Sequence, residues 1–324
     1  MKKQNLLLKY FLFLVMLALI AGVGCKNDDN PTPTETTFAT LKTYLTTNSM
    51  DLNNILDGWI TTAGAVIDSS TFTIPGYYVM DLRSAADFAT GHISGAVNTS
   101  FSTLLADAAN NGGKPILVVC YTGQAAGHAV VALRLSNYTD AKVLKWGMSS
   151  WNPLFDKWTD GVGSNGIGHA SWTMDPIATA SAYDDPEITS TATDGATILA
   201  ERVSALLTGG FKGVADSIVL DSPGDYYINN YWGAADITTY GHITGAFGIM
   251  PITLAGGEYN NLDPIKTIVT YCWTGQTSSV ITAYLTVLGY DAKSLKFGVN
   301  SMIYTNLTGH KWSASGNYTY VTGP

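Results

Sequence analysis

At 324 residues and 46% hydrophobic content, the chain is long enough for two ordinary domains, each with its own core. Charged residues make up only 13% of it, and 17 Lys and Arg against 25 Asp and Glu leave a net charge of -8. Recognition of a phosphate backbone needs clustered Lys and Arg, so nucleic acid is excluded as a partner.

The first residues, MKKQNLLLKYFLFLVMLALIAGVGC, place Lys2 and Lys3 before an apolar run from Tyr10 to Val23 and small residues before Cys25. Residues 1–24 read as an export signal and not as part of the fold. The uninterrupted apolar run is shorter than the roughly 20 residues of a spanning helix. The segment resembles a bacterial lipoprotein signal, which implies lipidation of Cys25 and a membrane anchor in the cell envelope. Gly22 stands where that family usually has Leu, so a plain secretory signal or an uncleaved anchor stays open. Residues 25–36, polar and containing Pro, fit a tether.

In the first half, Tyr77 to Met80, Ile116 to Val119 and Lys142 to Leu144 are strand candidates. Between the last two, Val130, Val131, Leu133 and Leu135 recur at helical spacing. Strand, helix, strand in that order predicts a parallel sheet with covering helices. The second half repeats the pattern: YYVMDLRSAADFATGHISGA, from Tyr77, is answered by YYINNYWGAADITTYGHITGA, from Tyr226, and DAKVLKWGMSS, from Asp140, by DAKSLKFGVNS, from Asp291. The copies lie about 150 residues apart, too far for a solenoid with its period of about 20 to 50 residues. The reading is a duplicated domain, 37–160 and 193–324, joined by a linker at 161–192 rich in Gly, Ser, Thr, Asp and Pro.

Each copy also repeats a cysteine turn: CYTGQ from Cys120 after PILVV, and CWTGQ from Cys272 after TIVTY. Two cysteines in an exported protein could form one disulfide, but a disulfide makes no demand for identical turn residues. The turns fall at the carboxyl edge of a parallel sheet, where open α/β folds bind ligands. A thiol there meets a helix N-terminus, whose dipole lowers its pKa by about one unit. Gly123 and Gly275 would let backbone amides converge on the sulfur as an anion nest.

The segments DLRSAADFATGHISGAVN, CYTGQAAGHAVVALRL and LKWGMSSW, in that order, resemble the rhodanese domain. The resemblance extends over both copies and implies an α/β fold of two rhodanese-like domains, each a central parallel sheet flanked by helices. It implies a sulfurtransferase that moves sulfane sulfur, as a cysteine persulfide, from thiosulfate or a persulfide or polysulfide donor to a thiol or cyanide-like acceptor. No cofactor or metal is called for. Carried over by position, Cys120 and Cys272 are the nucleophiles. Tyr121, Thr122, Gly123, Gln124 and Ala125, with Trp273, Thr274, Gly275, Gln276 and Thr277, form the substrate-binding loops, and Asp81, Arg83 and His92 support the first site.

The departures from the family bear on substrate. Ala125 and Thr277 occupy the sixth loop position, where many rhodaneses carry Arg, so a charge-assisted contact to thiosulfate is missing and weak thiosulfate turnover is expected. A related fold houses cysteine phosphatases, which need Arg six residues after the cysteine; Ala126 and Ser278 stand there instead. In the second copy Asn230 and Trp232 replace Asp81 and Arg83, and Met302 or a neighbour replaces Trp151. His128 reads as a core or surface residue and His242 as the counterpart of His92. Tyr271 and Trp273 are either core or the lining of an acceptor site. A second reading, from another class, is a cell-envelope sulfur carrier or oxyanion-binding module that works beside a redox partner without turning over.

Overall fold

The computed structural model describes residues 36–324. The export signal, Cys25 and nearly all of the tether lie outside the described residues.

In the first half, α1 (Thr37–Thr47), α2 (Leu52–Ile55), β1 (Ile60–Thr61), α3 (Ala63–Val66), β2 (Tyr78–Asp81), α4 (Ala85–Thr90), β3 (Val97–Asn98), α5 (Leu104–Ala108), β4 (Ile116–Val119), α6 (Gln124–Leu135) and β5 (Lys142–Leu144) follow one another. After β6 (Trp172–Thr173), the second half runs through α7 (Gly195–Gly209), β7 (Gly213–Val214), α8 (Asp216–Asp221), β8 (Tyr227–Asn230), α9 (Ala234–Tyr240), β9 (His242–Ile243), β10 (Ile268–Tyr271), α10 (Gln276–Val287) and β11 (Ala292–Leu295).

Two parallel sheets result, ordered β1-β5-β4-β2-β3 and β7-β11-β10-β8. The orders match position for position, and the fifth place in the second sheet shrinks to a parallel bridge between Asn229 and Phe247. β4 and β10 are central and buried along their whole length, as expected of strands covered on both faces. The α/β class expected from the strand-helix-strand alternation is the one observed.

The halves share one core. Phe38, Leu41 and Leu45 of α1 join Val130 and Leu133 of α6, Ile198 and Leu206 of α7, and Ile281 and Leu285 of α10 in a single buried cluster. The helices that follow the two cysteine turns pack directly on each other, and a Cβ on Gly127 of α6 would collide with Ser279 Oγ of α10. Asp51 adds a buried polar tie: it caps α2 through Leu52 N and accepts from Leu254 N and Ala255 N of the other half.

Each half also covers the other with an arm. Residues 163–175, which leave the first half, run along the second: Gly163 N donates to Asn300 O, Gly166 N to Met302 O, and β6 pairs antiparallel with β9. Residues 316–323, at the end of the second half, return to the first: Gly316 N donates to Ser150 O, Tyr318 N to Trp151 O, and Val321 pairs antiparallel with His92. The beginning of the connecting segment is thus ordered structure, because its backbone finds hydrogen-bond partners on a neighbour in sequence space far away.

His128 of α6 lies inside this shared core, with Nε2 3.4 Å from Leu206 O, and burial pushes its pKa down to about 4 from 6.5. The unfolded chain therefore takes up a proton that the folded chain refuses until lower pH. Stability contributed by the neutral ring is full above about 6.5 and is lost as pH falls toward about 4, on the order of 3 kcal/mol across that window. His128→Phe is expected to flatten this slope, measured as urea midpoints at successive pH values.

Candidate functional site

β4 ends at Val119 and β10 at Tyr271, so each cysteine is the first residue beyond a central strand. Four residues later a helix begins, with glycine at the cap: Gly123 at φ 80° and Gly275 at φ 74°. A side chain there would be strained in the left-handed region, and glycine offers no oxygen to cap the first turn. The cysteine sulfur takes that place. Gly123 N and Ala126 N point at Cys120 Sγ at 3.1 and 3.4 Å, and Ser278 N points at Cys272 Sγ at 3.3 Å. Ala126 and Ser278 are third residues of their helices, the position whose N–H a capping side chain ordinarily satisfies. The thiols are free, and they are only 6% and 2% exposed.

The expectation of a depressed thiol pKa fails at Cys120. Burial pushes the Cys120 thiol up, and this outweighs the amides of Ala126, Thr122 and Gly123 that favour the anion; the Asp81 carboxylate pushes it up further. A helix dipole contributes at most about 2 kcal/mol, whereas removing a charge from water costs several.

The far side of each turn is fixed by a second repeated element. Trp146 and Gly147 in one copy, and Phe297 and Gly298 in the other, all adopt positive φ. That turn lets Met148 N donate to Cys120 O at 2.8 Å and Val299 N to Cys272 O at 3.0 Å. A Cβ on Gly147 or Gly298 would collide with those same cysteine carbonyl oxygens.

Gln124 and Gln276, expected to bind substrate, do something else. Gln276 Oε1 crosses to the first half and accepts from Trp146 N at 3.1 Å, and Gln124 Oε1 crosses to the second and accepts from Phe297 N at 2.8 Å. Each glutamine satisfies the amide of the turn that holds the opposite cysteine, and both side chains are buried. Their Oε1 atoms are thus taken by backbone donors of the opposite half. Gln124→Ala and Gln276→Ala should each cost about 1 to 3 kcal/mol, the penalty of an unsatisfied buried donor, read as a lowered urea midpoint at unchanged slope.

The remaining loop residues Tyr121, Thr122, Ala125, Trp273, Thr274 and Thr277 are part-exposed and form the rim of the two turns. Between the turns sits an aromatic cluster from both halves. Trp158 donates Nε1 to Thr122 O and lies 5.0 Å from Phe297, and Trp146 lies 5.6 Å from Trp312.

Asp81 and Arg83 form a buried pair at the end of β2. The guanidinium donates twice to the carboxylate, from Nε at 3.1 Å and Nη2 at 2.6 Å, and reaches Gly91 O at 2.7 Å, so it holds the turn before His92. His92 stacks on Phe88 and its Nδ1 lies 2.9 Å from Phe88 O. In the second copy Asn230 and Trp232 are buried without charge. Trp232 stacks on Trp273, which stacks in turn on His310, while Tyr271 is wholly core. Among the described residues no three His, Cys, Asp or Glu side chains converge to hold a metal ion.

Residues 68–153 match the family model of the rhodanese-like domain. Among solved structures, a rhodanese-related protein from Thermoplasma volcanium is 22% identical over 29% of this chain and 89% of its own, with a TM-score of 0.26. A 3-mercaptopyruvate sulfurtransferase from Leishmania major is 14% identical over 80% of this chain and 74% of its own, at 0.28. A thiosulfate sulfurtransferase from Pseudomonas aeruginosa is 13% identical over 90% of this chain and 50% of its own, at 0.28. Likenesses this remote bear on neither substrate nor activity. The family-model match thus lies wholly in the first half, whose sheet order and cysteine turn the second half repeats.

Proposed function

We propose that the protein is an exported sulfurtransferase that carries sulfane sulfur on a cysteine persulfide, tethered to a membrane of the cell envelope through a lipid on Cys25. One observation carries the reading: each free thiol stands at a strand-to-helix turn with backbone N–H pointing at the sulfur, from Gly123 and Ala126 at Cys120 and from Ser278 at Cys272. A persulfide is an anion at neutral pH, and preorganised amides stabilise such an anion without reorganisation. In the transfer, a cysteine thiolate attacks the sulfane sulfur of the donor. The donor's S–S bond breaks, its remainder leaves with the electron pair, and a nucleophilic thiol or cyanide later removes the outer sulfur and restores the thiolate.

The donor reading follows from the loops. The sixth positions are Ala125 and Thr277, and Arg83, 5.1 Å over the Tyr121 ring, is buried in its pair with Asp81. A persulfide or polysulfide fits these turns better than thiosulfate, a dianion. The test is thiocyanate formation from cyanide with each donor. Turnover with polysulfide above that with thiosulfate supports the reading, and thiosulfate saturating in the micromolar range overturns the donor preference. The burial of both thiols favours one second reading, a sulfur carrier that opens only to a partner, and catalytic turnover with free cyanide would remove it.

A further inference from the structure

The two cysteine sites rest on different floors. In the first half the register places Met80, Val118 and Val143 side by side across β2, β4 and β5. α6 covers that part of the core with buried Ala126 and Val130. This layer is wholly apolar. In the second half the matching register is Asn229, Thr270 and Ser294 across β8, β10 and β11, and the matching helix positions on α10 are Ser278 and Thr282. All five are polar and almost inaccessible to solvent. Asn229 Nδ2, Thr270 Oγ1 and Thr282 Oγ1 have no protein hydrogen-bond partner. Burying five polar side chains in a layer that the sister copy fills with hydrocarbon costs stability at each unpaired atom, so packing alone does not account for the substitution.

Part of this layer reaches the sulfur. Ser278 Oγ lies 3.6 Å from Cys272 Sγ and 2.8 Å from Ser294 Oγ, and Ser294 Oγ lies 3.4 Å from Gly275 O. A hydroxyl can rotate between donating and accepting. With the thiol protonated, Cys272 donates to Ser278, Ser278 to Ser294, and Ser294 to the Gly275 carbonyl. With the sulfur ionised, Ser278 turns and donates to it, and Ser294 turns from the carbonyl to donate to Ser278. Ser278 thereby adds a hydroxyl donor to its own backbone N–H. At Cys120 the equivalent residue is Ala126, which offers only the N–H; the other donor there is the Gly123 amide, and no hydroxyl takes part. Tyr231, where the first copy has Leu82, is pushed up to about 12 by burial, then by Cys272 and Glu258.

We propose, building on the sulfurtransferase reading, that Cys272 is the sulfur-carrying nucleophile, that Ser278 is the hydroxyl that stabilises its anion, and that Ser294 positions Ser278. Cys120, over its hydrocarbon floor, keeps the fold of the turn and does not hold sulfur.

The test uses the full-length protein in Cys120→Ser and Cys272→Ser backgrounds. With polysulfide, intact mass should show added sulfur on Cys272 and none on Cys120. Separately, iodoacetamide should alkylate Cys272 about tenfold more slowly after Ser278→Ala, the ratio carried by one hydrogen bond to a charged group. Ser278→Thr should restore the rate and Ser294→Val should lower it, at melting temperatures that show each variant folded. An unchanged alkylation rate in folded Ser278→Ala, or equal sulfur on the two cysteines, overturns the proposal. If neither cysteine takes sulfur from any donor, the sulfurtransferase reading fails, and the alkylation rates still decide the role of Ser278.

Discussion

Arg83→Ala should destabilise the protein by about 3 to 5 kcal/mol, because it leaves the Asp81 carboxylate buried without its partner. Asp81 is 1% exposed and faces the guanidinium with both oxygens, and Arg83 also holds the Gly91 carbonyl before the His92 turn. The second half shows how the loss can be repaired, since it folds with Asn230 and Trp232 in these places. Asp81→Asn combined with Arg83→Trp should therefore recover most of the loss, giving strong coupling in a double-mutant cycle. Equilibrium urea unfolding of Asp81→Asn, Arg83→Trp and the double variant measures it. Additive losses in the double variant would mean that the pair is not the unit described above.

A comparable loss is expected from Gly298→Val, by another route. Gly298 sits at φ 55°, and any Cβ there meets the Cys272 carbonyl oxygen that Val299 N must reach. A β-branched residue adds strain in the left-handed region to a collision with backbone, which cannot rotate away. The combined cost is about 4 kcal/mol or more, in the range reserved for special backbone sites. Gly147→Val should do the same to the first turn. Gly95, also at positive φ but with open space around it, is the control: Gly95→Asn should cost far less. Thermal melts of the three variants rank these effects, and a Gly298→Val protein as stable as Gly95→Asn would remove the proposed clamp on the cysteine turn.

The cysteine turns, the strand before each and the helix after each were legible because they are local: an apolar run, a glycine, then helical spacing. The repeated sheet order was legible because the recurring segments keep a nearly constant separation. The roles of Gln124 and Gln276 were not, since a residue repeated beside a nucleophile reads as part of its site, and only folding shows that it reaches a partner in the other copy. The exchange of arms was hidden for the same reason, because residues 163–175 have no periodicity of their own and take their order from the backbone of the second half. The pKa expectation for Cys120 failed because helix position is local whereas burial comes from the whole core. The polar floor beneath Cys272 was present in the sequence, but it emerges only when Val118, Val143, Ala126 and Val130 are set against Thr270, Ser294, Ser278 and Thr282 as one layer.

The central claim is that a cysteine of this chain carries sulfane sulfur, and intact mass spectrometry tests it most directly. Full-length wild-type protein, incubated with polysulfide and freed of excess donor, should gain the mass of one sulfur atom. Cyanide should remove that mass, and Cys272→Ser should never acquire it. A protein whose mass is unchanged by every sulfane donor would contradict the account and leave a buried pair of thiols whose turns serve the fold alone.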